Sequence, residues 1–342
     1  MVRLSFCIAT FNRAAFIGET LESIISQATE QVEIVIVDGA SSDNTEQVVD
    51  TFRRRFPALR YFRQEMNMGV DRDFNRAVEL ASGEYCWLFP DDDLLKPGAI
   101  QTILCESSRG YEAIIVNAEV RNSDFSSLIE ERRLRIKNNR VYGPEQAESF
   151  FADTASYLSF IGGVVIKRDS WMERERERYF GSLFVHVGVL FQHPFPGDIL
   201  VIAEPLISIR YGNAMWTSRG FEIWMFKWPA LIWSFKHFSH AARAAISAPK
   251  PYLSIKRLLW FRAIGSYSSA EYRRFVRPFG TRPSGLVAAA IAELPAKAAN
   301  FCCALYYIVR SGKAAKMELY DLSRSENATA LARRAFAMRQ RQ

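Results

Sequence analysis

Asp91, Asp92 and Asp93 stand in a row between the apolar run Tyr85-Cys86-Trp87-Leu88-Phe89 and Leu94-Leu95-Lys96-Pro97. Carboxylates held this close repel one another in a desolvated place unless a proton or a cation compensates them. Oxygen-only donors of this kind suit Mg²⁺ or Mn²⁺, and Mg²⁺ commonly takes one or two carboxylates together with substrate phosphates. The alternative is an acidic surface turn. Position favours the metal-diphosphate site: the apolar run after Gly83 reads as a buried strand, and open α/β sheets bind ligands at the ends of such strands.

The elements that would hold this triplet come in alternation. Leu4 to Thr10 is strand-like, and from Ala14 to Gln27 the residues Phe16, Ile17, Leu21, Ile24 and Ile25 recur at helical spacing. Val32 to Val37 is a near-continuous apolar strand, as in a parallel sheet covered on both faces, and it ends on Asp38-Gly39. Ser42 or Asp43 is placed to cap a helix carrying Val48, Val49 and Phe52, Leu59 to Phe62 reads as a third strand, and Asp73 to Ala81 as a third helix. The order implies an α/β fold with a mainly parallel sheet.

Four motifs then resemble one family. Cys7-Ile8-Ala9-Thr10-Phe11-Asn12-Arg13, Ile36-Val37-Asp38-Gly39-Ala40-Ser41-Ser42-Asp43-Asn44-Thr45, Asn67-Met68-Gly69-Val70 and the aspartates are similar, in order and spacing, to inverting family 2 glycosyltransferases of GT-A fold. The string from Trp87 to Ile100 is similar to the abequosyltransferase-like branch, which works on bacterial surface polysaccharides. The resemblance implies a nucleotide-diphosphate sugar donor bordered by Thr10, Phe11 and Arg13, with Arg13 on the diphosphate and Asp38 on the base or ribose. It puts Asp71, and Arg72 beside it, in the same pocket, Asp91 near the ribose or a metal-bound water, and Asp92 on the Mn²⁺ or Mg²⁺; Asp93 would support the loop.

Two positions depart from the family pattern. Pro90 replaces the first acid of the usual Asp-x-Asp-Asp. The acidic pair that normally carries the catalytic base is missing as well: no acid lies between Glu177 and Asp198, and His186 falls at the base's place. A neutral imidazole is a competent base for a hydroxyl. A histidine satisfied in an apolar segment is the competing reading, and Asp153 and Asp198 are alternative bases.

The 342 residues suffice for a catalytic domain and an appendage. Five scattered or adjacent cysteines and no Cys/His zinc spacing read as a reduced compartment, and Met1-Val2-Arg3 running into a strand reads as no signal peptide. Charge is divided unevenly: residues 1–209 carry 22 Lys+Arg against 31 Asp+Glu, while residues 210–342 carry 22 against 6. That basic part holds Trp216, Trp224, Trp228, Trp233 and Trp260, a composition suited to an anionic membrane surface; no nucleic-acid motif accompanies it. Leu286 to Val309 approaches spanning length but contains Glu293, Pro295, Lys297 and Asn300, so helices lying in the interface or packed on the protein are expected.

The expectation is therefore a GT-A catalytic domain over residues 1–212 and a basic, helical membrane-associating region over 213–342, cytoplasmic and peripheral on the inner face of the membrane. It would pass a hexosyl or deoxyhexosyl group, with inversion, to a lipid-linked saccharide. The rivals are a nucleotidyltransferase, for which Ala9 to Arg13 lacks a glycine-rich loop, and a catalytically degenerate GT-A scaffold at the membrane.

Overall fold

The strands β1 (Leu4–Thr10) and β2 (Val32–Asp38) are buried along their whole length, as apolar parallel strands covered on both faces must be. The computed structural model describes residues 1–213, 217–279, 283–310 and 314–340; Trp216 lies outside them. The helix α1 (Ile17–Ile25) buries Ile17, Leu21 and Ile24, the i, i+4, i+7 stripe legible in sequence. Then come α2 (Thr45–Arg53), β3 (Leu59–Arg63), α3 (Val70–Leu80) and β4 (Tyr85–Leu88), with β1 parallel to both β2 and β4, and β2 parallel to β3.

The chain continues through β5 (Leu94–Leu95), α4 (Ala99–Ser107), β6 (Ala113–Arg121), β7 (Leu128–Glu130), β8 (Arg140–Tyr142), α5 (Ala147–Thr154), β9 (Val164–Lys167), α6 (Arg168–Glu173), α7 (Val185–Phe191) and β10 (Ile199–Arg210). The sheet order is β3-β2-β1-β4-β9-β6-β10-β5. β9 runs antiparallel to β4 and β6, so the sheet is mixed but mainly parallel, and helices flank it.

Sequence alone suggests a strand from Ile161, but the strand begins only at Val164, after a 3₁₀ turn at Ile161–Gly163. The turn comes close to its neighbours. A Cβ on Gly162 would lie 2.9 Å from the Pro90 ring, one on Gly163 2.8 Å from the Tyr157 ring, and Trp87 Nε1 donates to the Gly162 carbonyl at 2.8 Å. Sequence alone suggests a strand pair from Ile199 to Ile209 broken by Pro205, but one long β10 absorbs the proline by register shifts between Ile202 and Ile207.

Two compact units interleave along the chain. The first holds residues 1–121, 131–210 and 235–242, with its core at Phe6, Trp87 and Phe89, whose rings lie 5.1–5.7 Å apart. The second holds 122–130, 211–234 and 243–342 and is mainly helical. Among its described tryptophans, Trp228 is buried, Trp233 is half-buried, and Trp224 and Trp260 pack half-buried against its apolar clusters. Composition suggests a tryptophan-lined membrane face; Trp228 is instead interior, and Trp224, Trp233 and Trp260 are each partly covered. Leu286 to Val309 forms two helices, Pro283–Glu293 and Ala296–Val309, bent by 105° at the break before Ala296. No single helix among the described residues is long and apolar enough to cross a membrane. Asn300, costly in lipid, is buried within this unit, where it donates to the Leu322 carbonyl and accepts from Thr329.

Candidate functional site

The turn after β1 is stapled to the turn after β2. Asn12 N–H donates to Ser41 Oγ at 2.8 Å, Ser42 N–H to Asn12 Oδ1 at 2.8 Å, Arg13 N–H to Thr45 Oγ1 at 2.9 Å and Ala14 N–H to Asp43 Oδ2 at 3.0 Å. Asn12 and Ala40 take positive φ, of 54° and 68°; asparagine tolerates this and alanine does so at a cost. Asp43, expected as a helix cap, does accept at Oδ1 from the N–H of Thr45, the first residue of α2, at 3.0 Å, and through Oδ2 it also ties the two loops together.

The staple aims Arg13 at the aspartates. Arg13 Nε lies 3.4 Å from Asp91 Oδ1 and Nη2 lies 3.3 Å from Asp92 Oδ2, with Thr10 buried beside them and Phe11 half-buried in the turn. Behind this cluster stands Arg210, a residue that sequence reasoning left as the end of a strand. Its backbone N–H donates to Asp93 Oδ1 at 2.7 Å, its Nε to the Asp92 carbonyl at 2.9 Å, and its far end pairs with Glu19. Arg13 and Arg210 both lie over the Phe16 ring. So Asp93 holds the loop, and Asp91 and Asp92 face the one guanidinium.

The acids outweigh the cations. Burial and then the Asp92 charge push the Asp91 carboxyl up to about 7, against Arg13 and the Thr10 hydroxyl. Burial and then Asp92 push Asp93 well above the carboxylate range, against the Arg210 N–H. A proton-hungry, oxygen-only set on one turn fits a hard divalent cation that takes one or two protein carboxylates and completes its shell with phosphate oxygens. Among the described residues no three acidic, histidine or cysteine side chains converge into an all-protein cage, so a bound donor would have to supply the other ligands.

A second cluster sits at the end of β2. Asp38 is fully buried, accepts from Tyr61 Oη at 2.5 Å and from Ser41 N–H at 2.7 Å. Asp73, which sequence reasoning missed, is held by Gln64; burial and then the Asp38 charge raise its carboxyl to about 7.

These shifts set a pH dependence. Unfolded carboxyls titrate near pH 4, so between pH 6 and 8 the native protein holds protons at Asp73 and Asp91 that the unfolded chain lacks. Stability without a cation is therefore expected to fall as pH rises from 6 to 8, by roughly 1 kcal/mol per group. Asp321, raised to about 7 chiefly by burial, acts with the same sign. His186, whose pKa burial lowers, acts oppositely, chiefly below about pH 6.5. Thermal melts should show a lower Tm at pH 8 than at pH 6 and a smaller drop in Asp91→Asn; a profile that is flat or rises would contradict these shifts.

The remaining predicted residues lie around the start of α7. Asp71, expected at the donor, is buried and its carboxylate accepts from the N–H groups of Gly181 and Leu183 at 2.8 Å and of Val185 at 3.0 Å. The Asp71 carboxylate thereby holds the loop before α7. Arg72 lies over the Phe180 ring. His186 is 1% exposed; its Nε2 lies 2.8 Å from the Leu158 carbonyl, so that nitrogen carries the proton, and Nδ1 has no hydrogen-bond partner among the described residues. The structure does not bring its ring into the Arg13–aspartate cluster. Burial lowers its pKa to about 4, which corrects the expectation of a group titrating in the histidine range. Of the alternative bases, Asp153 pairs with Arg140 and Tyr142.

Comparison with known proteins gives the family and the fold. The sequence model described as Glycosyl transferase family 2 matches residues 5–163. Abequosyltransferase RfbV of Salmonella typhimurium is 32% identical over 232 residues, 64% of this chain and 69% of that protein. The GalNAc(5)-diNAcBac-PP-undecaprenol beta-1,3-glucosyltransferase of Campylobacter jejuni is 32% identical over 118 residues, 34% of this chain and 38% of its own length. In structure, S. aureus TarS 1–349 superposes with TM-score 0.58 at 13% identity, covering all of this chain and 92% of TarS 1–349. Mannosyltransferase PcManGT of Pyrobaculum calidifontis, solved with GDP-Man and Mn²⁺, has TM-score 0.50 at 16% identity, covering 94% of this chain and 85% of its own. Both structural likenesses speak to the GT-A fold.

Proposed function

The chain belongs to glycosyl transferase family 2, and from that premise we propose that it transfers a sugar, with inversion, from a nucleotide-diphosphate donor to a hydroxyl of a lipid-linked saccharide in bacterial surface polysaccharide synthesis. The observation that carries this reading is the convergence of Arg13, Asp91 and Asp92 where β1 and β4 end side by side. Arg13 is placed to leave the carboxylates for the donor's diphosphate, which a guanidinium matches bidentately. Asp38 would accept from the base or ribose, with Thr10 opposite it on the neighbouring strand. Asp92, with Asp91 beside it, would hold Mn²⁺ or Mg²⁺; when bound, the cation would neutralise charge on the leaving nucleoside diphosphate.

In the displacement the acceptor oxygen bonds to the anomeric carbon as the bond to the diphosphate breaks, through an oxocarbenium-like transition state. The acceptor hydroxyl would give its proton to a base, and His186 would serve only if the acceptor reaches its ring, which is buried here. The Leu158 carbonyl fixes that ring's tautomer, so Nδ1 keeps the lone pair, and the low pKa keeps the imidazole neutral well below pH 7. Residues 1–212 would carry this chemistry and 213–342 would keep the protein at the inner membrane face, where the Campylobacter relative's undecaprenol-linked acceptor suggests the substrate lies.

A panel of nucleotide sugars, each with and without Mn²⁺, tests the binding step by thermal shift, because a ligand that binds only the native state raises its stability. One donor class should raise Tm by a few degrees, more with Mn²⁺ than without. No shift from any nucleotide sugar would remove the proposed donor site.

A further inference from the structure

The helix Ala296–Val309 has two apolar faces. Its inner stripe, Ala299, Asn300, Ala304 and Tyr307, is buried in the second unit. On the other side Phe301, Leu305, Tyr306, Ile308 and Val309 are exposed, Val309 at 85%. Positions 301, 305 and 308 follow the i, i+4, i+7 spacing of one helical face, where a water-facing helix would place charges. The preceding helix exposes Leu286 and Val287, and Leu294 follows at the break. An apolar row of this length on a surface marks an interaction site.

Charge says what covers it. The C-terminal end of the row is collared by cations: Lys256 Nζ lies 5.2 Å from the Tyr306 ring centroid, Arg310 donates to Tyr306 Oη at 2.9 Å, and Arg339 donates to the carbonyls of Ile308 and Arg310. A tyrosine held between cations above a row of aliphatic side chains matches the boundary between lipid headgroups and acyl chains.

We propose that Ala296–Val309 lies flat on an anionic bilayer, with Phe301, Leu305 and Val309 at the acyl boundary and Lys256 and Arg310 on lipid phosphates. This deepens the membrane reading given above and rests on it. It moves the contact from the tryptophans to the second helix of the Leu286 to Val309 segment, for which the sequence already suggests helices lying in the interface or packed on the protein. A second copy of the chain could also cover an apolar row, but it would bring the same cationic collar to face its twin, whereas anionic lipid complements it.

Flotation of the full chain with phosphatidylcholine vesicles, with and without about a third of phosphatidylglycerol, tests this. The wild type should float with the anionic vesicles only, and more weakly at high salt. The double variant Leu305→Glu/Val309→Glu should lose partitioning by at least about tenfold. Both side chains are exposed, so its melting should be unchanged, and a melt on the same sample checks that. If the wild type floats and the variant floats equally well, this surface is wrong while the membrane reading stands. If the wild type ignores anionic vesicles, both fall. A wild-type dimer that the double variant makes monomeric, without vesicle binding, would assign the row to a second copy.

Discussion

The Asp92→Ala variant is expected to lose glycosyl transfer by at least about 10³-fold, the scale of several kcal/mol of charge stabilisation at the leaving group. It should not lose the fold. Asp92 raises the proton affinity of both Asp91 and Asp93, so its charge strains the loop it serves. Arg13 keeps Asp91 as a partner after the substitution, and Tm without cation should stay level or rise. Function and stability would then move in opposite directions, as at a site where like charges are held together for chemistry. The Mn²⁺-dependent part of donor binding should vanish with the activity. Unchanged Mn²⁺-dependent turnover in this variant would falsify the cation assignment.

Replacing His186 is expected to lower kcat by roughly 10² or more, with donor affinity nearly intact. The ring is buried, so His186→Ala also opens a cavity and strands the Leu158 carbonyl. His186→Gln separates the two roles, since its amide can donate to that carbonyl but has no basic nitrogen. If the histidine is the base, both variants are slow while the glutamine variant regains thermal stability. If glutamine restores the rate, the ring only positions α7. Burial also moves the expected acidic limb of kcat down towards about 4, away from the usual histidine range; a limb near 6.5 would assign the titration to another group.

What was legible in the sequence was local. The strands ending at Thr10, Asp38 and Leu88 are apolar runs, and the polar residues at or just past their ends fall at the sheet's ligand edge because strands stop there. What stayed hidden depends on contacts between distant positions. Arg210 meets Asp93 across 117 residues, and Asp71 caps the loop before α7 across 110 or more. No spacing rule links such pairs. The pKa of His186 is set by the walls around it, and a strip of sequence does not show walls. The basic half misled for a related reason. Composition counts tryptophans but not the face they take, and widened π turns at Ile223–Lys227 and Tyr272–Val276 disturb the 3.6-residue period from which a face is read.

The most direct test of the account is turnover of nucleotide sugars by the full chain with Mn²⁺ and lipid-linked saccharide acceptors, following nucleoside diphosphate release and the anomeric configuration of the product. One donor should be consumed, with nucleoside diphosphate released in step with a product of inverted configuration, and Asp92→Ala should abolish both. Retained configuration, release of pyrophosphate instead, or no turnover of any donor would contradict it.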